Sequence, residues 1–140
     1  MFTFHQSSVL AAGALSLLIA APALAETYEC EIRQRSWAGL ISESYRFEIE
    51  AEKGRVLVLD PIIRFAEGKP VKGAFESLSD TESRVMWSVE DVPIAPEGGP
   101  TDATFEAVLT KDETTTVQVK AVWSDESDAG NGKGRCVLAQ

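Results

Sequence analysis

Beyond residue 26, apolar and polar residues alternate with a period of two through most of this chain, and no stretch there keeps a helical period for three turns. The first run sets Tyr28, Cys30 and Ile32 on one face and Glu29, Glu31 and Arg33 on the other. The second sets Tyr45, Phe47 and Ile49 against Arg46, Glu48 and Glu50. Successive side chains of a strand point to opposite faces, so each run predicts a half-buried strand. Turn chemistry at Glu52-Lys53-Gly54 precedes residues 55–60, whose Val56-Leu57-Val58-Leu59 centre is apolar on both faces and predicts the most enclosed strand. Pro61 ends it. The chain then passes Ile62-Ile63-Arg64-Phe65 and a Gly68-Lys69-Pro70 break to reach a weaker strand at 71–78. Later strands are predicted at 84–90 with Val85, Trp87 and Val89 inward, and in a run ending at Lys111 with Phe105, Ala107 and Leu109 inward. Residues 115–123 follow with Val117, Val119, Ala121 and Trp123 inward, and 133–139 with Cys136 and Leu138 inward.

Eight strands at this spacing predict an all-β domain, either a small antiparallel barrel or a two-sheet β-sandwich. The cysteines separate the two. Cys30 lies in the first strand and Cys136 in the last, each on its apolar face, so their sulfurs can meet inside or at the rim of one core if those strands are neighbours. An up-and-down barrel closes in this way, so the barrel is the expectation and the sandwich the alternative. Residues 91–102 contain Pro93, Pro96, Gly98-Gly99 and Pro100, which break any regular element and predict a long surface loop. Residues 125–132 read as a second polar loop.

Residues 9–21 form a 13-residue apolar stretch, followed by Pro22-Ala23-Leu24-Ala25 and then Glu26. This is the hydrophobic region and small-x-small cleavage site of a secretory signal, although residues 1–8 carry no Lys or Arg. The stretch is short of the roughly 20 apolar residues that span a bilayer. Residues 1–25 are therefore expected to be removed, leaving one domain at 26–140 with no membrane insertion. Export to a bacterial periplasm or beyond the cell is an oxidising fate, which suits a Cys30–Cys136 disulfide.

The chain has 22 Asp and Glu against 13 Lys and Arg, a net charge of −9 carried wholly by residues 26–140. Such a balance argues against nucleic acid and suits a cationic protein partner. The one histidine, His5, lies in the leader. Its loss removes histidine-based nucleophilic catalysis and histidine-ligated metals, and paired cysteines leave no thiolate. A non-catalytic domain without cofactor or metal is expected. The alternative left open to chemistry is a carboxylate-based hydrolase, although nothing in the spacing marks a catalytic pair. Asp125-Glu126-Ser127-Asp128-Ala129-Gly130 begins like an EF-hand loop, but Ala129 and Cys136 stand where that loop needs oxygen ligands.

Two surfaces are candidates for function. Pairing of the first two strands is expected to set at least one of Glu29 and Glu31 opposite Glu48 or Glu50; Glu31 against Arg46, for example, sets Glu29 against Glu48. Opposed like charges cost stability, so this acidic outer face, together with Trp37 in the following connection, points to a cationic partner. The 91–102 loop is a second candidate for the same role. A different reading has Phe47, Trp87 and Trp123 lining a barrel interior that carries a small apolar ligand. With its early Tyr28-Glu29-Cys30, its cystine and its acidic eight-strand pattern, the chain resembles the small periplasmic inhibitors of c-type lysozyme. The resemblance implies an inhibitor-like or accessory binding role. The Ser-Gly-x-x-Tyr inhibitory loop of that family is absent here, so no active residue is carried over.

Overall fold

A computed structural model describes residues 25–36 and 39–139, together with Gly13. The expected leader, apart from Gly13 and Ala25, lies outside the described residues, as does Trp37. Eight strands, β1 (Glu26–Arg35), β2 (Ser44–Glu50), β3 (Arg55–Leu59), β4 (Val71–Ser77), β5 (Glu82–Val89), β6 (Ala103–Lys111), β7 (Thr115–Trp123) and β8 (Asp128–Leu138), follow one another around a ring. Every neighbouring pair is antiparallel, and β8 pairs with β1. The closed ring excludes the sandwich.

The inward positions are those the alternation marks, and their sizes are complementary. β2 and β5 supply rings: Trp87 stacks on Phe105 of β6 at 5.2 Å between centroids, and lies tilted against Phe47 at 5.5 Å and Tyr45 at 5.7 Å. Facing them, β6, β7 and β8 supply Ala103, Ala107, Ala121 and Ala129, whose small side chains leave room for the rings. The seam of the barrel is tight. Cys30 and Cys136 oppose each other directly in the β1–β8 ladder and are bonded across 106 residues of sequence. Two residues away, a Cβ placed on Gly134 would come within 1.9 Å of the Glu31 carbonyl oxygen, so β8 reaches this close to β1 only without a side chain there.

Three local expectations are corrected. Residues 61–67, where the alternation predicts no element, form the helix α1 (Pro61–Glu67). Its signals are at its ends: Asp60 accepts from the Ile63 amide, Pro61 opens the first turn, and Gly68 closes it at φ 70°. Seven residues make fewer than three turns, too few for a helical period to register. β8 begins at Asp128 and not at Lys133, so the polar loop shortens to residues 124–127. Gly130, Gly132 and Gly134 occupy its alternate positions, so the alternation carries no apolar side chains to reveal it. Leu138 is 54% exposed at the barrel's margin, because β8 runs on past the packed interior after Cys136.

Candidate functional site

In an up-and-down barrel the connections that follow odd-numbered strands share one end. The β5–β6 connection and the β7–β8 turn therefore meet at one mouth, where the Ser124 amide donates to the Asp102 carbonyl at 2.9 Å. Residues 90–102 and 124–128 contain Glu90, Asp91, Glu97, Asp102, Asp125, Glu126 and Asp128, and no Lys or Arg. The rest of the chain has 15 acidic against 13 basic residues, so most of the net charge sits at this mouth. The longer connection is anchored by buried Val92, whose amide donates to the Thr101 carbonyl at 2.8 Å, and it presents Ile94 at 62% exposure.

The seven carboxylates divide by what they touch. Asp102 accepts from the Asp91 amide at 3.0 Å, Asp125 from the Ser127 amide at 3.0 Å, and Asp128 from the Gly130 amide at 2.9 Å. The hydroxyl and amide of Ser127 hold the Asp125 carboxyl below the usual range. These three shape the loops. Glu90, Asp91, Glu97 and Glu126 have no side-chain hydrogen bond or ion pair among the described residues and project into solvent. Asp91 and Glu126 are held at φ 50° and 66°, in the left-handed region that disfavours residues with a Cβ.

The outer face of β1 and β2 is arranged differently from the expectation. Glu29 stands opposite Arg46, Glu31 opposite Ser44, and Glu48 opposite Thr27, so neither Glu29 nor Glu31 faces Glu48 or Glu50. The long connection after β1 permits this register, in which Tyr28 meets Phe47 and Cys30 meets Tyr45 inside while Glu29 meets a cation outside. Glu31 has Arg33 at 3.9 Å. Glu50 has Arg55 at 3.2 Å and Lys53 at 3.4 Å, and these cations hold its carboxyl below the usual range. The wall is of mixed sign, whereas at the mouth the connections after β5 and β7 carry carboxylates alone, beside a β3–β4 connection that brings Arg64 and Lys69 with Asp60 and Glu67 to the same end.

Phe47 and Trp87 are buried in ring-on-ring contact at the centre of the barrel. Trp123 is buried at the acidic mouth, where its carbonyl accepts from the Glu126 amide at 2.8 Å. One buried carboxylate lies outside both surfaces. Asp60 is 5% exposed; its Oδ1 accepts from the Ile63 amide at 2.7 Å and its Oδ2 from the Ser42 hydroxyl at 2.6 Å. The Ser42 amide in turn donates to the Tyr45 hydroxyl at 2.9 Å. Burial pushes the Asp60 carboxyl above the usual range against those two hydrogen bonds, and burial pushes the Tyr45 phenol well up. Asp60 and Glu29 line one surface depression of about 430 Å³, but both Asp60 oxygens are engaged by Ser42 and the first turn of α1. This cluster ties the β1–β2 connection, β3 and α1 together. No group of three or more His, Cys, Asp or Glu converges on a metal position among the described residues.

A pH dependence follows from Asp60. Its folded value lies above its unfolded one, so its favourable contribution is whole below the ordinary carboxylate range and is lost as pH rises through the raised value. Asp60→Asn keeps a capping oxygen for the Ile63 amide and turns an amide donor toward the Ser42 hydroxyl, which can accept from it, but cannot ionise. Urea unfolding across that interval is expected to show the stability of the variant relative to the native protein rising with pH and then levelling. A constant difference would contradict the assignment.

Comparison with protein-family models, with curated proteins and with solved structures finds no match to this chain. Among the described residues no helix is long and apolar enough to cross a membrane. The Cys30–Cys136 disulfide fits a protein that matures outside a reducing cytosol.

Proposed function

We propose that this protein is an exported, non-catalytic binding domain that captures a cationic protein at its acidic mouth, in an inhibitor-like or accessory role. The observation that carries this reading is the gathering of seven carboxylates, without a cation, on two connections joined at one barrel end. Such a concentration of one sign steers an oppositely charged partner and orients its approach. Four of the seven carboxylates have no partner within the described chain, and the exposed Ile94 among them supplies an apolar anchor for the centre of a charged contact. The absence of histidine from residues 26–140 supports the non-catalytic part of the reading. The apolar-ligand alternative draws less support, since Phe47 and Trp87 are buried against each other and against Tyr45 and Phe105.

Affinity capture from the organism's own periplasmic or secreted fraction, with the purified protein as bait, tests the proposal. A basic protein is expected to be retained at low salt and to be depleted about tenfold or more once the Debye length falls from roughly 10 Å to 3 Å. Capture that ignores salt would contradict an electrostatic interface.

A further inference from the structure

The barrel end away from the acidic connections, where the connections after even-numbered strands gather, holds a recess that binding at the mouth does not use. A pocket of about 440 Å³ opens there, a size and a place at which β-barrels carry small molecules. Its apolar sides include buried Ile49 of β2 and half-buried Phe75 of β4. Polar groups stand where the alternation calls for apolar ones. Ser83 keeps step with the inward Val85 and Trp87 of β5, Lys111 with the inward Ala107 and Leu109 of β6, and Glu26 with the inward Tyr28 and Cys30 of β1. β6 and β1 are not neighbours in the ring, so Lys111 and Glu26 pair across the end: Lys111 Nζ lies 3.2 Å from Glu26 Oε2, and the Tyr28 hydroxyl donates to the same oxygen at 3.1 Å. Glu26 Oε1 accepts no hydrogen bond among the described residues, and the Lys111 ammonium has donors to spare. Ser83 is 8% exposed and lines the pocket, and its hydroxyl has no hydrogen-bond partner among the described residues. A buried hydroxyl left unpaired costs stability, so a serine at this inward position points to a group that meets it from the pocket.

We propose that this end of the barrel binds a small neutral sugar. The Glu26–Lys111 pair is satisfied within itself, so an ionic ligand would have to compete with it, whereas hydroxyls that donate to Glu26 Oε1 and accept from Lys111 and Ser83 leave it whole. Adjacent ring hydroxyls can each donate one hydrogen bond and accept others, which is the pairing that a spare acceptor beside spare donors asks for. Ile49 and Phe75 supply the apolar side on which the C–H face of a sugar ring packs. The charges of the lining nearly cancel, Glu26, Glu50 and Glu52 against Lys53 and Lys111, and so favour a neutral occupant. The site lies at the opposite end from the acidic connections and does not rest on what they bind.

Titration of the purified protein followed by backbone amide NMR tests it, with D-glucose, D-galactose, D-mannose and N-acetyl-D-glucosamine as probes and phenethylamine and phenylacetate as charged comparisons. At least one sugar is expected to bind with a Kd of about 1 mM or tighter, shifting the amides of Phe75, Ser83 and Lys111 while those of Ile94 and Glu126 at the acidic mouth stay in place. Ser83→Ala is expected to weaken that binding about fivefold to tenfold. Because the hydroxyl has no partner in the described chain, the same variant is expected to keep or raise the urea midpoint. No shift from any of the four sugars at about 50 mM, or tighter binding of either charged compound, would overturn the proposal. Sugar binding indifferent to Ser83→Ala would overturn it, and so would a lowered urea midpoint, which would mean that the hydroxyl is paired within the chain. Saturating sugar is expected to leave capture at the acidic mouth unchanged, which keeps this site and the proposed function separately testable.

Discussion

Replacing Cys30 and Cys136 together by alanine is expected to lower stability by about 3–5 kcal/mol, a third or more of what a domain of this size commonly has. The bond closes a loop of 106 residues, nearly the whole barrel, and the chain-entropy model assigns a loop of about 100 residues close to 4.7 kcal/mol. The magnitude comes mainly from the unfolded chain, which regains the freedom of its ends when the link is gone. In the folded protein the β1–β8 ladder still pairs Tyr28 with Leu138 and Glu31 with Arg135, so the barrel is expected to remain closed in the absence of denaturant. Urea unfolding of the oxidised protein and the double variant gives the difference directly. A loss below about 1 kcal/mol would mean that the ends are already held together before folding.

Gly134→Ala is expected to be at least as damaging, with a loss of more than about 3 kcal/mol or no soluble product. The atoms it would strike are the Glu31 carbonyl oxygen and carbon and the Ile32 Cα, all main chain, so no side-chain rotation relieves the clash. β8 has to move off β1 two residues from the cystine, at the seam that makes the sheet a ring. Gly99→Ala is the matched control: its Cβ would meet only Pro96, at 3.3 Å and beyond, in an exposed connection, and a change within about 0.5 kcal/mol is expected. Equal melting temperatures for the two variants would contradict the tight seam.

The barrel was legible because seven of its strands carry apolar side chains at alternate positions, and the ring closure because Cys30 and Cys136 sit on matching faces at the two ends of the sheet. What escaped has physical reasons. α1 announces itself only by Asp60-Pro61 and Gly68, a capping grammar that periodicity does not read. The start of β8 escaped because Gly130, Gly132 and Gly134 yield their space to β1 and to the Leu40–Ile41 segment. The β1–β2 register depends on the length of the connection between them, which alternation does not fix, and so the opposed carboxylates expected there resolved into Glu29 against Arg46. The acidic loops were each visible, but their meeting at one mouth required the barrel first, since only strand order places both after odd-numbered strands. Trp37 lies outside the described residues.

The most direct measurement compares two baits in the same capture experiment at low salt. One carries Glu90→Gln, Asp91→Asn, Glu97→Gln and Glu126→Gln at the mouth; the other carries Glu29→Gln, Glu31→Gln and Glu48→Gln on the mixed wall. The mouth variant is expected to lose at least about tenfold of the retained basic partner while the wall variant keeps it. Retention by the mouth variant equal to that of the unaltered protein would contradict the assignment of the acidic mouth as the binding surface.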